Sequence, residues 1–122
     1  MRVLDRADLA ISMNSSFNGA AIHLEHMEGF SVAATWTETS SPLAGTLKLQ
    51  ASNNAFLDNV NNDEDPNALW ADIPGSSVSV SGSDSFLWNV AGVYYNAARI
   101  VWSHSTGHGT FTANIHAKGV QS

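Results

Sequence analysis

The stretch GTLKLQASNNAFLDNVNNDEDPNALWADIPGSS, Gly45 to Ser77, decides the fold. It opens with strict alternation, Leu47, Leu49 and Ala51 against Thr46, Lys48, Gln50 and Ser52, which is the period of a strand with one wet face. The strand runs into a polar excursion rich in Asn, with Asp58, Asp63, Glu64 and Asp65. The chain then returns through Leu69, Trp70, Asp72 and Ile73. It stops at Pro74-Gly75, where proline presets one turn dihedral and glycine accepts a positive one. Strand, long loop, strand and turn are the grammar of an antiparallel β-sandwich.

Towards the N-terminus, Leu9, Ile11 and Met13 alternate with Asp8, Ala10 and Ser12 as a first strand, and Asn14 to Gly19 is turn chemistry. Ile22 and Leu24 alternate with His23 and Glu25 as a short second strand. Phe30, Val32, Ala34 and Trp36 then share one face opposite Ser31, Ala33, Thr35 and Thr37, the pattern of a central strand. Glu38 to Ala44, which contains Pro42, reads as a polar link between strands. Towards the C-terminus, Val78, Val80, Phe86, Trp88 and Val90 mark strands interrupted near Gly82-Ser83-Asp84, where tight turns keep the sheet antiparallel. The end of the chain reads as a hairpin. A loop from Ser105 to His108 pairs Trp102 with Phe111, Ile100 with Ala113 and Ala98 with Ile115, whereas a one-residue slip throws an apolar set to the other face.

The expected fold is therefore all-β: a single antiparallel β-sandwich domain over residues 1–122, jelly-roll-like, with about eight strands. Trp36, Leu47, Leu49, Trp88, Ile100, Trp102, Phe111 and Ile115 are expected inside. Residues 1–10 read as an N-terminal arm and 53–67 as a long polar loop. No apolar stripe of helical period is seen, although Asn61 to Leu69 has room for one helical turn.

Composition narrows the function. A chain of 122 residues fits one domain that buries roughly two thirds of its unfolded surface. Cys is absent, which excludes disulfides, thiolate nucleophiles and Cys-rich zinc sites. The net charge is −6, and five dispersed Lys and Arg make no basic stripe, so direct nucleic-acid binding is not expected. No run approaches about 18 apolar residues, so no membrane span is expected either. The opening MRVLDRADLA lacks the long apolar core of a signal peptide, which points to a protein made in the cytoplasm. Only 13% of residues are charged, about half the usual share. A surface of small uncharged polar groups suits repeated contact with like subunits, because little charge must be desolvated.

Each candidate chemistry has a plainer reading beside it. Of His23, His26, His104, His108 and His116, only His104 and His108 share a turn, and the hairpin register puts them on different sides of it. The 53–67 loop offers oxygen ligands for a hard cation, but the spacing of acids around a glycine that such loops use is missing. No nucleophile elbow, paired carboxylates across a cleft or phosphate loop occurs, so an enzyme is not expected. Catalytic, cofactor-binding and metal-ligating residues are all unassigned, and no cofactor is expected. Trp36, Trp70, Trp88 and Trp102, with Tyr94 and Tyr95, raise carbohydrate binding, since aromatic faces stack on sugars. Trp36, Trp88 and Trp102 lie in phase with apolar rows and are assigned to the core, leaving Trp70 and Tyr95 as the open cases.

The strings GTLKLQASNN, ALWADIPGSSVSVSGSDSFLWNV and YYNAARIVWSHSTGHGTFTANIHAKG resemble small β-sandwich structural proteins of tailed bacteriophages. The matching positions are Trp36, Gly45 to Asn53, Trp70 to Gly75, Arg99, Ser105 to Gly109 and Lys118, within about residues 30 to 120. The resemblance implies a virion component of the capsid decoration or cement type, with a tail or neck protein as the alternative. It implies partners too: other copies of the chain, as a homotrimer, and the major capsid protein. It brings no catalytic residues. The acidic loop after Asn53 is longer here than in that pattern.

Overall fold

The computed structural model describes residues 3–25, 27–55 and 68–119. These form eight strands and no helix: β1 (Val3–Ser12), β2 (Phe17–Asn18), β3 (Ile22–His23), β4 (Met27–Ser52), β5 (Ala71–Asp72), β6 (Val78–Ser81), β7 (Asp84–Ala91) and β8 (Ala97–Gly119). All pairings are antiparallel, as the alternating sequence predicts, and they join the strands in one sheet where two packed sheets were expected.

The sheet is organised on β4 and β8, which run side by side from Met27 opposite Gly119 to Ser52 opposite Ala97. Each long strand carries different neighbours along its length. At one end the order is β1-β8-β4-β7, with Val32 between Trp88 and Ile115. At the other, β2 and β3 flank β8 while β5 and β6 flank β4, with Leu47 between Val78 and Trp102. The inward rows of both ends, including Phe30, Val32, Trp36, Leu47, Leu49, Ile100, Trp102 and Phe111, belong to one apolar cluster. Trp88 Nε1 donates to the Ser76 carbonyl at 2.8 Å, and Phe17 meets Phe111 edge-on at 5.9 Å, so the two ends touch through side chains. All eight residues expected inside are buried.

Between the two ends the register slips after Glu38, after Ser40 and again between Ala44 and Gly45. This corrects the sequence reading in two places. The polar link from Glu38 to Ala44 is part of β4, and the Ser105–His108 hairpin does not exist: Trp102 lies opposite Leu47, and Phe111 lies opposite Trp36. The change of phase from Trp102 to Phe111 is real, but a bend within β8 produces it. Leu43 is wholly buried at this bend, and a Cβ on Gly109 would sit 2.6 Å from Leu43 Cδ2. Gly107, at φ 84°, passes against the Pro42 and Leu43 backbone. The two glycines are thus a notch for Leu43. Thr106 Oγ1 donates to the Pro42 carbonyl at 2.8 Å, and Glu38 Oε1 accepts from the Leu43 N–H at 2.6 Å.

The N-terminal reading also changes. Residues 3–10, read as an arm, belong to β1 and pair with β8 from Val3 opposite Lys118 onward. A register shift between Asp8 and Ile11, with Ala10 at φ 53°, turns Leu9 outward to 69% exposure. A second local departure is Ser52, placed on the wet face by alternation but buried, where its carbonyl accepts from the Asn96 N–H at 3.1 Å. Within the polar loop, residues 56–67, and with them Phe56, Leu57 and Val60, lie outside the described residues, as does most of the helical turn read over Asn61 to Leu69.

Candidate functional surfaces

The outward side of the β4–β8 ladder near Gln50 carries a connected polar cluster. Alternation puts Lys48 and Gln50 outward on β4 because Leu47 and Leu49 point in, and the register brings Arg99 opposite Gln50 and Asp72 opposite it on the other side. Arg99 donates from Nε and Nη2 to Gln50 Oε1 at 2.9 and 2.8 Å. Gln50 Nε2 donates onward to Asp72 Oδ1 at 2.9 Å, and Lys48 Nζ pairs with the same carboxylate at 3.0 Å. Trp70 closes the row by stacking on the Arg99 guanidinium, 4.3 Å from ring centroid to Cζ. Its exposed face is thereby partly used inside the chain.

The hydrogen bond from Gln50, and then that from Lys48, hold the Asp72 carboxyl below its ordinary value of 3.8. A depressed carboxylate stabilises the fold above its unfolded pKa and loses that contribution as pH falls through the folded value. An acid titration of stability is therefore expected to show a shallower fall below about pH 4 in Asp72→Asn than in the parent chain. Because the group is open to solvent the difference is small.

A second feature is a shallow cleft of about 550 Å³ at the end of the sheet where β4 leaves and β8 begins. Asn53, Asn54, Leu69, Tyr94 and Tyr95 line it, and among the described residues that line it there is no acid, Lys or Arg. Tyr94 is 94% exposed and Leu69 77%. The Asn54 side-chain carbonyl accepts from the Leu69 N–H at 2.8 Å and from Ser52 Oγ at 2.9 Å, which fixes the amide. Tyr95 is half-buried, its hydroxyl oxygen is out of solvent contact and has no partner among the described residues, and burial pushes its pKa up. The exposed ring at this cleft is Tyr94, whereas alternation had left Tyr95 and Trp70 open. Sequence cannot separate adjacent tyrosines in a turn, where no period applies.

His26 lies outside the described residues, and the four described histidines do not converge. His104 Nε2 lies 2.8 Å from the Gly107 carbonyl, His108 Nδ1 lies 2.7 Å from Ser40 Oγ, and His116 contacts Asp5 across β1 and β8. His23 lies 3.2 Å from Glu25. Among the described residues no three His, Asp or Glu side chains gather as a metal site. Trp36, Trp88 and Trp102 are core residues, as their phase predicted. No family model and no curated relative matches the chain.

Proposed function

We propose that this chain is a non-enzymatic structural protein of a tailed-phage virion: a capsid decoration protein that reinforces the head through contacts with its own copies and with the major capsid protein. The observation that carries the reading is the strand order. β1-β8-β4-β7 at one end and β2/β3-β8-β4-β5/β6 at the other matches the order of a jelly roll laid open, and on this reading the sheet folds at the register slips around Leu43 and Gly107. Folding the sheet there lays one apolar face on the other, which accounts for side chains such as Leu47, Leu49 and Phe111 at zero exposure where no helix among the described residues covers them. Jelly rolls are the recurrent form of viral shell and lectin domains. The low charge and the phage-like strings favour the shell over the lectin.

Neutral glycan binding is the second reading, favoured by the exposed Tyr94 on a cleft whose described lining is Asn-rich and uncharged. One comparison separates the two. A protein that binds the assembled shell stabilises it by linkage, so particles lacking the chain are expected to release their genome at a lower temperature than complete particles. Equal heat stability, together with saturable glycan binding that Tyr94→Ala abolishes, would replace the decoration reading by the lectin one.

A further inference from the structure

We infer that two copies of this chain join edge to edge through β7, antiparallel about a two-fold axis at Leu87, so that each Leu87 faces its counterpart. The inference rests on the reading that the protein works by self-association, and supplies the surface through which it does so. β7 is a sheet edge: among the described residues it pairs with β4 alone. Exposed edges are normally shielded by charge, bulge or proline. The edge at β1 has such shielding, with Asp5, Arg6 and Asp8, the register shift after Asp8, and Ala10 at positive φ. β7 has none of it. Its eight residues, DSFLWNVA, keep one register against β4, and Asp84 at the first position is the sole charge.

The second copy is the fitting occupant for three reasons. The chain carries −6, so like copies repel except over an uncharged surface, and β7 supplies one. Phe86 and Leu87 are 41% and 61% exposed on adjacent positions, one on each face of the strand, so only a partner lying alongside covers both. The strand is also self-complementary. Residues opposite one another across an antiparallel pair share a face, so a two-fold axis must pass through a residue position. Centring on Leu87 sets leucine against leucine on the outer face, Phe86 against the second copy's Trp88 on the inner face, and Ser85 against its Asn89. Centring on Trp88 would instead put Leu87 against asparagine. The backbone leaves this edge able to pair. The Ser85 N–H bonds the Asp84 carboxylate at 2.8 Å, so the odd positions of β7, Leu87 among them, turn their peptide groups to the free edge. A two-fold contact of this kind links neighbouring subunits across a lattice, and does not itself close a trimer.

The absence of Cys makes a direct test clean. Leu87→Cys in the full chain places two thiols on Cα atoms about 5.5 Å apart, within disulfide reach. Under mild oxidation L87C is expected to form covalent dimer about tenfold faster than Asn89→Cys, whose counterpart lies out of register, because pairing raises the effective concentration of the first thiol alone. An equimolar mixture of Ser85→Cys and Asn89→Cys is expected to yield the mixed dimer. In sedimentation, Leu87→Lys is expected to shift the parent association to monomer while leaving its circular dichroism unchanged. Equal rates for L87C and N89C would overturn the inference. Self-association that survives Leu87→Lys would also overturn it and leave the self-association reading standing. A parent chain monomeric at every concentration, and without effect on shell heat stability, would remove both.

Discussion

Trp102→Ala is expected to lower the unfolding free energy by about 3 to 5 kcal/mol, the cost of emptying a large aromatic site that the surroundings cannot collapse to fill. Trp102 has no solvent exposure, lies opposite both Leu47 and Phe17, and its six-membered ring lies where a Cβ on Gly45 would come within 2.5 Å of Cη2. Its Nε1 also donates to the Met13 carbonyl at 3.0 Å, and truncation leaves that acceptor buried without the donor. Chemical denaturation at constant m-value is the measurement. Trp70→Ala is the natural control, because that half-buried ring stacks on Arg99 near the surface and its loss is expected to cost about 1 kcal/mol. A loss below about 1 kcal/mol at Trp102 would show that the indole is not a core element.

Gly107→Ala is the second large expectation, at about 2 to 5 kcal/mol, from two sources that a control separates. An L-residue at φ 84° costs about 1 to 2 kcal/mol. The added methyl would also lie 2.5 Å from the Pro42 carbonyl oxygen and 2.7 Å from Leu43 Cα, and those are backbone atoms that cannot rotate away. Displacing them adds roughly 1 to 3 kcal/mol in the manner of an overpacked core. Gly75→Ala carries the first cost without the second, since its φ is 77° and nothing lies within 4 Å of the new methyl. The difference between the two variants therefore reports the contact at the bend. If they lose the same amount, Leu43 is not seated on Gly107 and the fold line lies elsewhere.

β1 and β7 are edges at the same end of the sheet, one shielded and one bare. The bare edge is where copies are expected to join. The Tyr94 cleft lies at the Ser52–Ala97 end of the β4–β8 ribbon, and none of its described lining residues takes part in the Leu43 notch.

Much of the fold was legible because a strand's period is a local property. Phe30 to Trp36 and Leu47 to Leu49 name their buried faces by alternation, since water and core lie on opposite sides of a pleated chain. The candidate surfaces were legible only in part. Sequence separated Trp36, Trp88 and Trp102 from Trp70, but nothing near Trp70 announces that Arg99 will stack on it, because that contact is made by register across two strands. By itself, the sequence determined an all-β antiparallel chain, its inward rows, and the turns at Gly75 and Gly82, where positive φ is a local requirement. Only the tertiary structure decided that Pro42 and Gly107 mark a bend inside two long strands and not their ends. A proline or glycine weakens a strand locally, but whether the chain stops there depends on the backbone groups opposite it. At this site β4 and β8 resume their pairing after Leu43 is buried between them.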